Sequence, residues 1–271
     1  MKLKFFVLIS LFWLLNSCEK KIILHPENSE QKLSVEAIFS DSPFVSYVRV
    51  TKSKSIYQPI TGHEQITDAD VKIIDLTTND TIPFVYNDDS ENYKAAAAGL
   101  EGHQYRLDIM AQGHHLTSTK TMMTKVNLDR VISVPTEEDP NVYYLKMQFN
   151  DPPEQQDYYL IIIQPIDPNS ELEPRFSVMS DMTYDCEEKT ISITDEFFNK
   201  DEDWMVLFFH IDRENFNYFK VIHRAMKNLM NGAHPFYGLS LGNPQSTIDG
   251  DRTLGYFITS PVMISPIRIG N

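Results

Sequence analysis

The chain has 271 residues, with 24 lysines and arginines against 38 aspartates and glutamates. This excess of negative charge repels phosphate backbones and anionic lipid surfaces, so it excludes nucleic-acid binding, and any membrane attachment must come from a lipid. With 42% apolar and 11% aromatic residues the chain can fill two hydrophobic cores, and its length favours two domains.

Residues 1–17 have the pattern of a lipoprotein signal peptide. Lys2 and Lys4 precede an unbroken apolar run at residues 5–15, which is too short to span a bilayer as a mature helix. The run closes on Leu15-Asn16-Ser17-Cys18, which has the form of a lipobox. We therefore predict cleavage before Cys18 and acylation of this cysteine by a diacylglycerol and a further acyl chain such as palmitate. The alternative is an ordinary signal peptide in which Cys18 stands by chance.

Residues 18–32 form the predicted lipidated tether, because they are polar, contain Pro26 and offer little to bury. Each buried methylene of an acyl chain contributes about 0.8 kcal/mol, so several chains hold a protein on a membrane almost permanently. Position 19 is Glu19 rather than the aspartate that retains lipoproteins at the inner membrane. The expected location is therefore the outer membrane, lipid-anchored, with the leaflet undetermined.

Residues 33–125 have the pattern of an immunoglobulin-like β-sandwich. Apolar and polar residues alternate in short runs separated by turn residues, which is typical of antiparallel strands. The predicted strands cover residues 33–39, 46–50, 71–76, 81–86, 105–109 and 114–122. Gln112-Gly113 predicts a hairpin turn between the last two, and Pro83 predicts an edge position because proline cannot donate to a ladder.

Residues 126–271 are predicted to form a second antiparallel β domain after a charged turn at 135–140. Its predicted strands cover residues 142–149, 158–164, 189–194, 204–211, 253–259 and 262–269. The runs at 158–163 and 205–209 are continuously apolar, so both faces of these strands should be covered. The predicted fold class is therefore mainly β, with an immunoglobulin-like sandwich followed by this second domain.

A single amphipathic helix is predicted at residues 213–231 in the second domain. Apolar residues recur at spacings of three and four from Phe216 to Met230, and lysines and arginines occupy the opposite side. Asp212 can cap the start of the helix, Gly232 suits its end and Pro235 prevents continuation.

The best match to a catalytic motif is Gly238-Leu239-Ser240-Leu241-Gly242, which has the spacing of a nucleophile elbow. That motif requires a strand before the serine and a helix after it, whereas here a helix precedes the motif and Asn243-Pro244 follows it. No histidine follows Ser240, although the hydrolase order needs one. We interpret the segment as a Gly/Ser loop, and a serine hydrolase acting through Ser240 is an alternative.

Metal and cofactor sites are not predicted. His114 and His115 are adjacent in a predicted strand, so their side chains point to opposite faces and cannot easily bind one ion. The acidic runs at 201–203 and 249–251 fall short of the ligand count of a calcium loop and are interpreted as solvated turns. Cys186 lacks a disulfide partner if Cys18 is acylated, and its acidic neighbours disfavour the reactive thiolate.

A set of tyrosines beside the apolar strands are candidates for flat aromatic platforms that bind sugars. The candidates are Tyr143, Tyr144, Tyr237 and Tyr256. Their other interpretation is packing in a core or interface, with the hydroxyl reaching the surface. The sequence shows no convergent polar pocket.

The order of several short motifs resembles a family of outer-membrane lipoproteins, the domain-of-unknown-function family 4249 (DUF4249). The motifs are Leu33-Ser34-Val35-Glu36-Ala37, Ala69-Asp70-Val71-Lys72-Ile73, Gly102-His103-Gln104-Tyr105-Arg106-Leu107 followed by Gly113, Asn150-Asp151-Pro152 to Tyr158-Tyr159, and Leu254-Gly255-Tyr256-Phe257. The chain departs from the family pattern at residues 244–250. The resemblance implies a lipoprotein commonly encoded beside a TonB-dependent receptor, and it supplies no catalytic residues.

The sequence and the resemblance together predict a non-catalytic outer-membrane lipoprotein held by Cys18. Its expected role is that of an accessory or ligand-binding partner of a TonB-dependent transporter in nutrient uptake. A cell-surface adhesion or structural lipoprotein is the alternative from another class, since sandwich domains on lipid tethers also serve that purpose.

Overall fold

A computed structural model of the chain describes residues 31–53, 64–153, 156–181, 188–230, 242–247 and 253–271. The described chain is mainly β with one amphipathic helix, so the predicted fold class is confirmed. The strands are β1 Leu33–Phe39, β2 Tyr47–Lys52, β3 Glu64–Gln65, β4 Asp70–Asp75, β5 Asp80–Asn87, β6 Asn92–Lys94, β7 Gln104–Ala111, β8 His114–Thr121, β9 Leu128–Pro135, β10 Val142–Asn150, β11 Tyr158–Pro165, β12 Arg175–Ser180, β13 Glu188–Asn199, β14 Asp203–Ile211, β15 Gln245–Ser246, β16 Leu254–Thr259 and β17 Val262–Arg268. The helix is α1, Arg213–Met230, and no helix in the described ranges is long and apolar enough to cross a membrane.

The first sheet has the strand order β15-β8-β7-β4-β5-β6-β2-β1-β16, with β3 paired to β2. Its strands alternate between buried and exposed side chains, so one face supplies a core that contains Val35, Phe39, Val71 and Leu107. The predicted hairpin joins β7 and β8, with Gln112 at φ 49° and Gly113 at φ 80°. Two positive φ values in a two-residue loop match the twist of the flanking strands, which explains the glycine.

A strand from the C-terminal part of the chain completes this sheet. β16 pairs in parallel with β1, with Val35 opposite Gly255. Gly255 has φ 102°, and a Cβ atom there would lie 1.8 Å from the Val35 carbonyl oxygen, so only glycine fits. Residues predicted in the second domain thus share a sheet with residues 33–125; the domain boundary near 125 stays a prediction.

Two smaller sheets enclose a second core. Their orders are β13-β10-β9 and β12-β11-β14-β17. Alternate residues of β11 and β14, such as Tyr159 and Phe208, belong to the core shared with β10, while Leu160 and Phe209 pack with the helix. Both faces of these strands are covered, as their unbroken apolar sequence predicts.

The helix α1 starts where the sequence predicts. The Asp212 carboxylate accepts a hydrogen bond of 2.9 Å from the Asn215 N–H, so Asp212 is the N-cap. Phe216 and Phe219 are buried against β11, β14 and β16. The helix ends at Met230, one residue before the predicted end, and Gly232 and Pro235 lie outside the described residues.

Sequence reasoning missed three strands of the second half, β9, β12 and the two-residue β15, and β13 is longer than predicted. The register of β13 against β10 shifts, so that residues 194–197 stand opposite Tyr144 alone. This bulge interrupts the alternation after Thr194, which explains why the periodic pattern stops there although the strand continues to Asn199.

Candidate functional site

Three aspartates meet where three strand ends come together. Asp151 follows the end of β10, Asp157 precedes β11, and Asp181 follows the end of β12. Because β11 and β12 pair with Tyr158 opposite Ser180, the residues flanking this pair are neighbours. The Asp157 N–H donates to the Asp181 carboxylate at 2.9 Å, and the Asp181 N–H donates to the Asp157 carbonyl at 3.2 Å. One carboxylate oxygen from each of the three residues lies within 4.8 Å of the other two.

Lys189 on β13 supplies positive charge to this aspartate cluster. Its Nζ atom lies 2.5 Å from Oδ2 of Asp151 and 3.8 Å from Oδ2 of Asp181. The Tyr159 hydroxyl donates to the other oxygen of Asp151. Burial raises the pKa of Tyr159, and its bond to the Asp151 carboxylate raises it further, so the hydroxyl keeps its proton.

His210 on β14 also contacts the cluster. Its Nδ1 atom lies 2.9 Å from the Thr124 carbonyl oxygen, and its Nε2 atom lies 2.9 Å from Oδ1 of Asp157. A carbonyl oxygen can only accept, so Nδ1 carries a proton. One further proton then lies between Nε2 and Asp157, giving either an imidazolium beside a carboxylate or a neutral imidazole beside a carboxylic acid.

The cluster holds more negative than positive charge in a buried place. The side chains of Asp151, Asp157, Asp181, Lys189 and His210 are between 1% and 10% exposed. With either position of the shared proton, the charges of these five side chains add to minus one. Oδ2 of Asp157 is buried with no hydrogen-bond partner among the described residues. Burial raises the pKa of Asp157, Asp151 and Asp181 raise it further, and His210 opposes them.

The arrangement brings several carboxylate oxygens together in one place. Carboxylates in a buried, negatively charged pocket are the ligands that hard cations such as Ca²⁺ prefer. Within the described ranges, the side chains that contact the three aspartates are those of Tyr159, Lys189 and His210.

A second feature is a surface groove of about 540 Å³ between α1, β12 and β13. Its apolar lining includes Phe197 and Met226, which are 49% and 47% exposed. Large apolar side chains that stay accessible in a concave surface are typical of binding sites.

The charged residues of this groove are mostly paired with one another. Lys227 lies 3.2 Å from Asp195 and 3.7 Å from Glu196, and His223 lies 3.1 Å from Asp195. Glu171 and Glu173 add two exposed carboxylates to the lining. The groove therefore combines an apolar floor with a surplus of negative charge.

A comparison of the sequence with known protein families identifies the family of this chain. The family described as "Domain of unknown function (DUF4249)" matches residues 19–263. The chain belongs to this family. The family membership predicted from the order of the motifs is thus confirmed, and a search of curated proteins found no match.

Among solved structures, the chain is similar to a DUF4785 family protein from Legionella pneumophila, with 10% sequence identity and a TM-score of 0.24. The match covers 67% of this DUF4249 family member and 51% of the Legionella chain, so it spans about half of that protein. A score this low supports no argument about fold or function.

Several residues considered from sequence lie outside the described residues. They are Cys18, Cys186, Tyr237, Ser240 and the acidic run at 249–251. Their predicted roles, lipidation of Cys18 above all, stay predictions.

The adjacent histidines do lie in β8 with different surroundings. His114 is exposed, whereas His115 is half-buried, with Nε2 3.1 Å from Asp108 and Nδ1 2.9 Å from the Thr247 hydroxyl. The acidic run at 201–203 lies at the surface, where Arg268 approaches Asp203 at 2.9 Å. His115 and the acidic run thus have partners in the protein.

Two of the tyrosines that were candidates for sugar platforms are buried, and a third, Tyr144, is half-buried. Tyr143 and Tyr256 are both 9% exposed, and the Tyr256 hydroxyl contacts the Tyr47 hydroxyl at 2.8 Å. The packing interpretation applies to these two residues.

Sequence reasoning missed the aspartate cluster altogether. Asp151 and the neighbour of Asp157 appeared only as parts of a family motif, and Asp181 follows β12, which was not predicted. The available signal was an aspartate directly flanking each of three strands. Using it required knowing that β12 pairs with β11, which local periodicity does not reveal.

Proposed function

We propose that this protein is a non-catalytic lipoprotein, anchored at the outer membrane through Cys18, that binds a polypeptide segment of a TonB-dependent transporter during nutrient uptake. The lipid anchor is supported by the signal pattern and the lipobox at residues 15–18. The transporter as partner is supported by the resemblance to DUF4249 lipoproteins.

The single structural observation that carries the binding role is the groove between α1, β12 and β13. Phe197 and Met226 expose apolar surface there without a neighbour that covers it among the described residues. The acidic side chains Glu171 and Glu173 favour a segment that carries lysine or arginine beside apolar residues. We therefore assign the groove to an extended, apolar and basic segment of the transporter.

Co-purification tests this assignment. The full lipoprotein, extracted from envelopes in mild detergent, is expected to retain the transporter. The variants Phe197→Ser and Met226→Ser should reduce the amount retained at least tenfold, because each removes half-exposed apolar surface from the groove. Met110→Ser is the matched control, since Met110 is 45% exposed on β7, away from the groove residues.

Two outcomes would contradict the proposal in different ways. A lipoprotein that leaves the envelope as a clean monomer has no transporter partner. Equal retention by the groove variants and by Met110→Ser would assign the contact to another surface. Labelling of Ser240 by a fluorophosphonate would overturn the non-catalytic part.

The lipid anchor has a separate test. Cys18→Ser removes the sulfur that receives the diacylglycerol, so the protein is expected to leave the membrane fraction for the soluble fraction. Unchanged fractionation of the variant with envelopes would contradict anchoring through Cys18.

A further inference from the structure

The spacing of the three aspartates matches the coordination sphere of one cation. Oxygens of Asp151, Asp157 and Asp181 lie within 4.8 Å of one another. Calcium binds carboxylate oxygens at about 2.3–2.6 Å, so two ligands on opposite sides of the ion are up to about 5 Å apart. Magnesium, at about 2.0–2.1 Å, demands a nearly octahedral arrangement and usually keeps several of its waters, so it is less suited than calcium to a cluster of protein carboxylates. A single calcium ion can therefore contact all three side chains.

The charge of the cluster favours a bound cation. Three carboxylates face two basic side chains, Lys189 and His210, so the cluster has one acidic group in excess. All five side chains are at most 10% exposed, so water screens this charge poorly. Buried charge without a counterion is strongly unfavourable.

A free ligand atom is also present in the cluster. Oδ1 of Asp157 contacts His210, but Oδ2 is buried and has no hydrogen-bond partner among the described residues. Buried carboxylate oxygens are nearly always satisfied, so such an atom indicates a missing partner. A cation beside Oδ2 supplies that partner.

We propose that Asp151, Asp157 and Asp181 form a calcium site that ties together the end of β10, the start of β11 and the end of β12. Backbone carbonyls and water complete the coordination, since calcium takes six to eight oxygens. Lys189 competes with the ion, because its ammonium contacts Asp151 and approaches Asp181. This site is separate from the groove and does not depend on the proposed transporter.

Terbium luminescence tests the site. Tb³⁺ replaces calcium at oxygen sites and emits light when a nearby tyrosine is excited, and the Tyr159 hydroxyl donates to Asp151 itself. The purified full chain in detergent is expected to sensitise Tb³⁺, and millimolar Ca²⁺ should displace it while equal Mg²⁺ should not. The expected calcium affinity is on the order of 0.1–1 mM, the range of extracellular calcium modules.

Three asparagine variants provide the comparison. Asp157→Asn and Asp181→Asn should weaken Tb³⁺ binding at least tenfold, because each removes a charged ligand. Asp88→Asn, at an exposed turn position, should leave binding unchanged. Absence of sensitised emission from the folded wild-type chain, or equal emission from all three variants, would overturn the proposal. Displacement by Mg²⁺ as effective as by Ca²⁺ would overturn the assignment to calcium.

Lys189→Met separates a calcium site from a purely structural ion-pair network. Removal of the competing ammonium should tighten Tb³⁺ and Ca²⁺ binding at least tenfold, and Ca²⁺ should raise the melting temperature of this variant more than that of the wild type. If Lys189 is the only cation that the cluster takes, calcium will not stabilise the variant, and the proposal fails.

Discussion

Aspartates near strand ends have different partners in the first part of the chain and in the second half. Asp75, at the end of β4, accepts hydrogen bonds from the N–H groups of Thr77 and Thr78 and lies 2.7 Å from Nδ1 of His103. Asp41 lies 2.8 Å from Lys125 and accepts from the Val262 N–H. Each of these two carboxylates has its own set of donors.

The aspartate cluster has too few donors for its carboxylates. Burial raises the pKa of Asp41 and of Asp75, but the hydrogen bonds from Lys125 and His103 and from backbone N–H groups lower it by more, so both pKa values are below the usual range. The pKa of Asp157 is raised instead, because burial, together with the charges of Asp151 and Asp181, raises it by more than His210 lowers it. The number of donors around a carboxylate therefore decides, together with its burial, whether its charge stabilises the fold.

The largest predicted loss of stability comes from replacing the lysine that pairs with the aspartates in each region, Lys189 or Lys125. Lys189→Met in the presence of a chelator should cost about 3–5 kcal/mol of unfolding free energy, because it leaves buried carboxylates without their counterion. Lys125→Met should cost at most about 1 kcal/mol, because Lys125 is 36% exposed and its pair with Asp41 is partly screened. Urea denaturation at pH 7 measures both. Equal losses of unfolding free energy in the two variants would mean that Lys189 and Lys125 contribute equally to stability, which would contradict the account.

The next effect comes from neutralising one carboxylate in each region. Asp75→Asn should cost about 2 kcal/mol, because hydrogen bonds to a charged acceptor contribute about 1.5–3 kcal/mol and two backbone N–H donors are weakened. Asp157→Asn in chelator should change stability by less than about 1 kcal/mol, since the amide can donate to Nε2 of neutral His210 and a repelling charge is removed. If Asp157→Asn lost as much unfolding free energy as Asp75→Asn, the claim that the cluster carries excess negative charge would be contradicted.

The pH dependence of the same variants should have opposite signs. Asp75 has a lowered pKa, so its stabilisation is present above the unfolded pKa of about 3.9 and is lost as pH falls through the folded pKa. Asp157 has a raised pKa, so the folded state binds the proton more tightly; its contribution is present below about 3.9 and is lost as pH rises through the folded pKa. The difference in stability between wild type and variant, followed against pH in chelator, should rise with pH for Asp75→Asn and fall for Asp157→Asn.

The smallest effect is expected at an exposed carboxylate, which sets the baseline for the comparison. Asp203 is 49% exposed and lies 2.9 Å from Arg268, which is 48% exposed. Asp203→Asn should change the unfolding free energy by less than about 0.5 kcal/mol, and high salt should remove even this difference. A larger loss, measured by the same denaturation, would show that exposed pairs carry stability in this fold.

Local features of the fold were predictable from sequence because neighbouring residues determine them. The cap at Asp212, the amphipathic face of α1 and the Gln112-Gly113 hairpin all depend on residues within a few positions of one another. The parallel pairing of β1 with β16 joins residues more than 200 positions apart, and no local pattern specifies it.

The candidate site was less predictable than the fold for the same reason. Asp157 and Asp181 are neighbours only because β11 pairs with β12, whose sequence Arg175–Ser180 was not recognised as a strand. Lys189 reaches the cluster through the register of β13 on β10, where it stands opposite Phe149. The charged residues themselves can be read from the sequence. Which of them lie together, and therefore the net charge of the site, depends on long-range strand pairing.

The most direct test of the surplus charge is anomalous diffraction from crystals of the protein soaked in a terbium salt and in a calcium salt. The expected map has one strong peak among Asp151, Asp157 and Asp181, at about 2.3–2.6 Å from Oδ2 of Asp157. The peak should be absent from crystals of Asp157→Asn. A map without a peak, in which the Lys189 ammonium alone lies among the three carboxylates, would contradict the account.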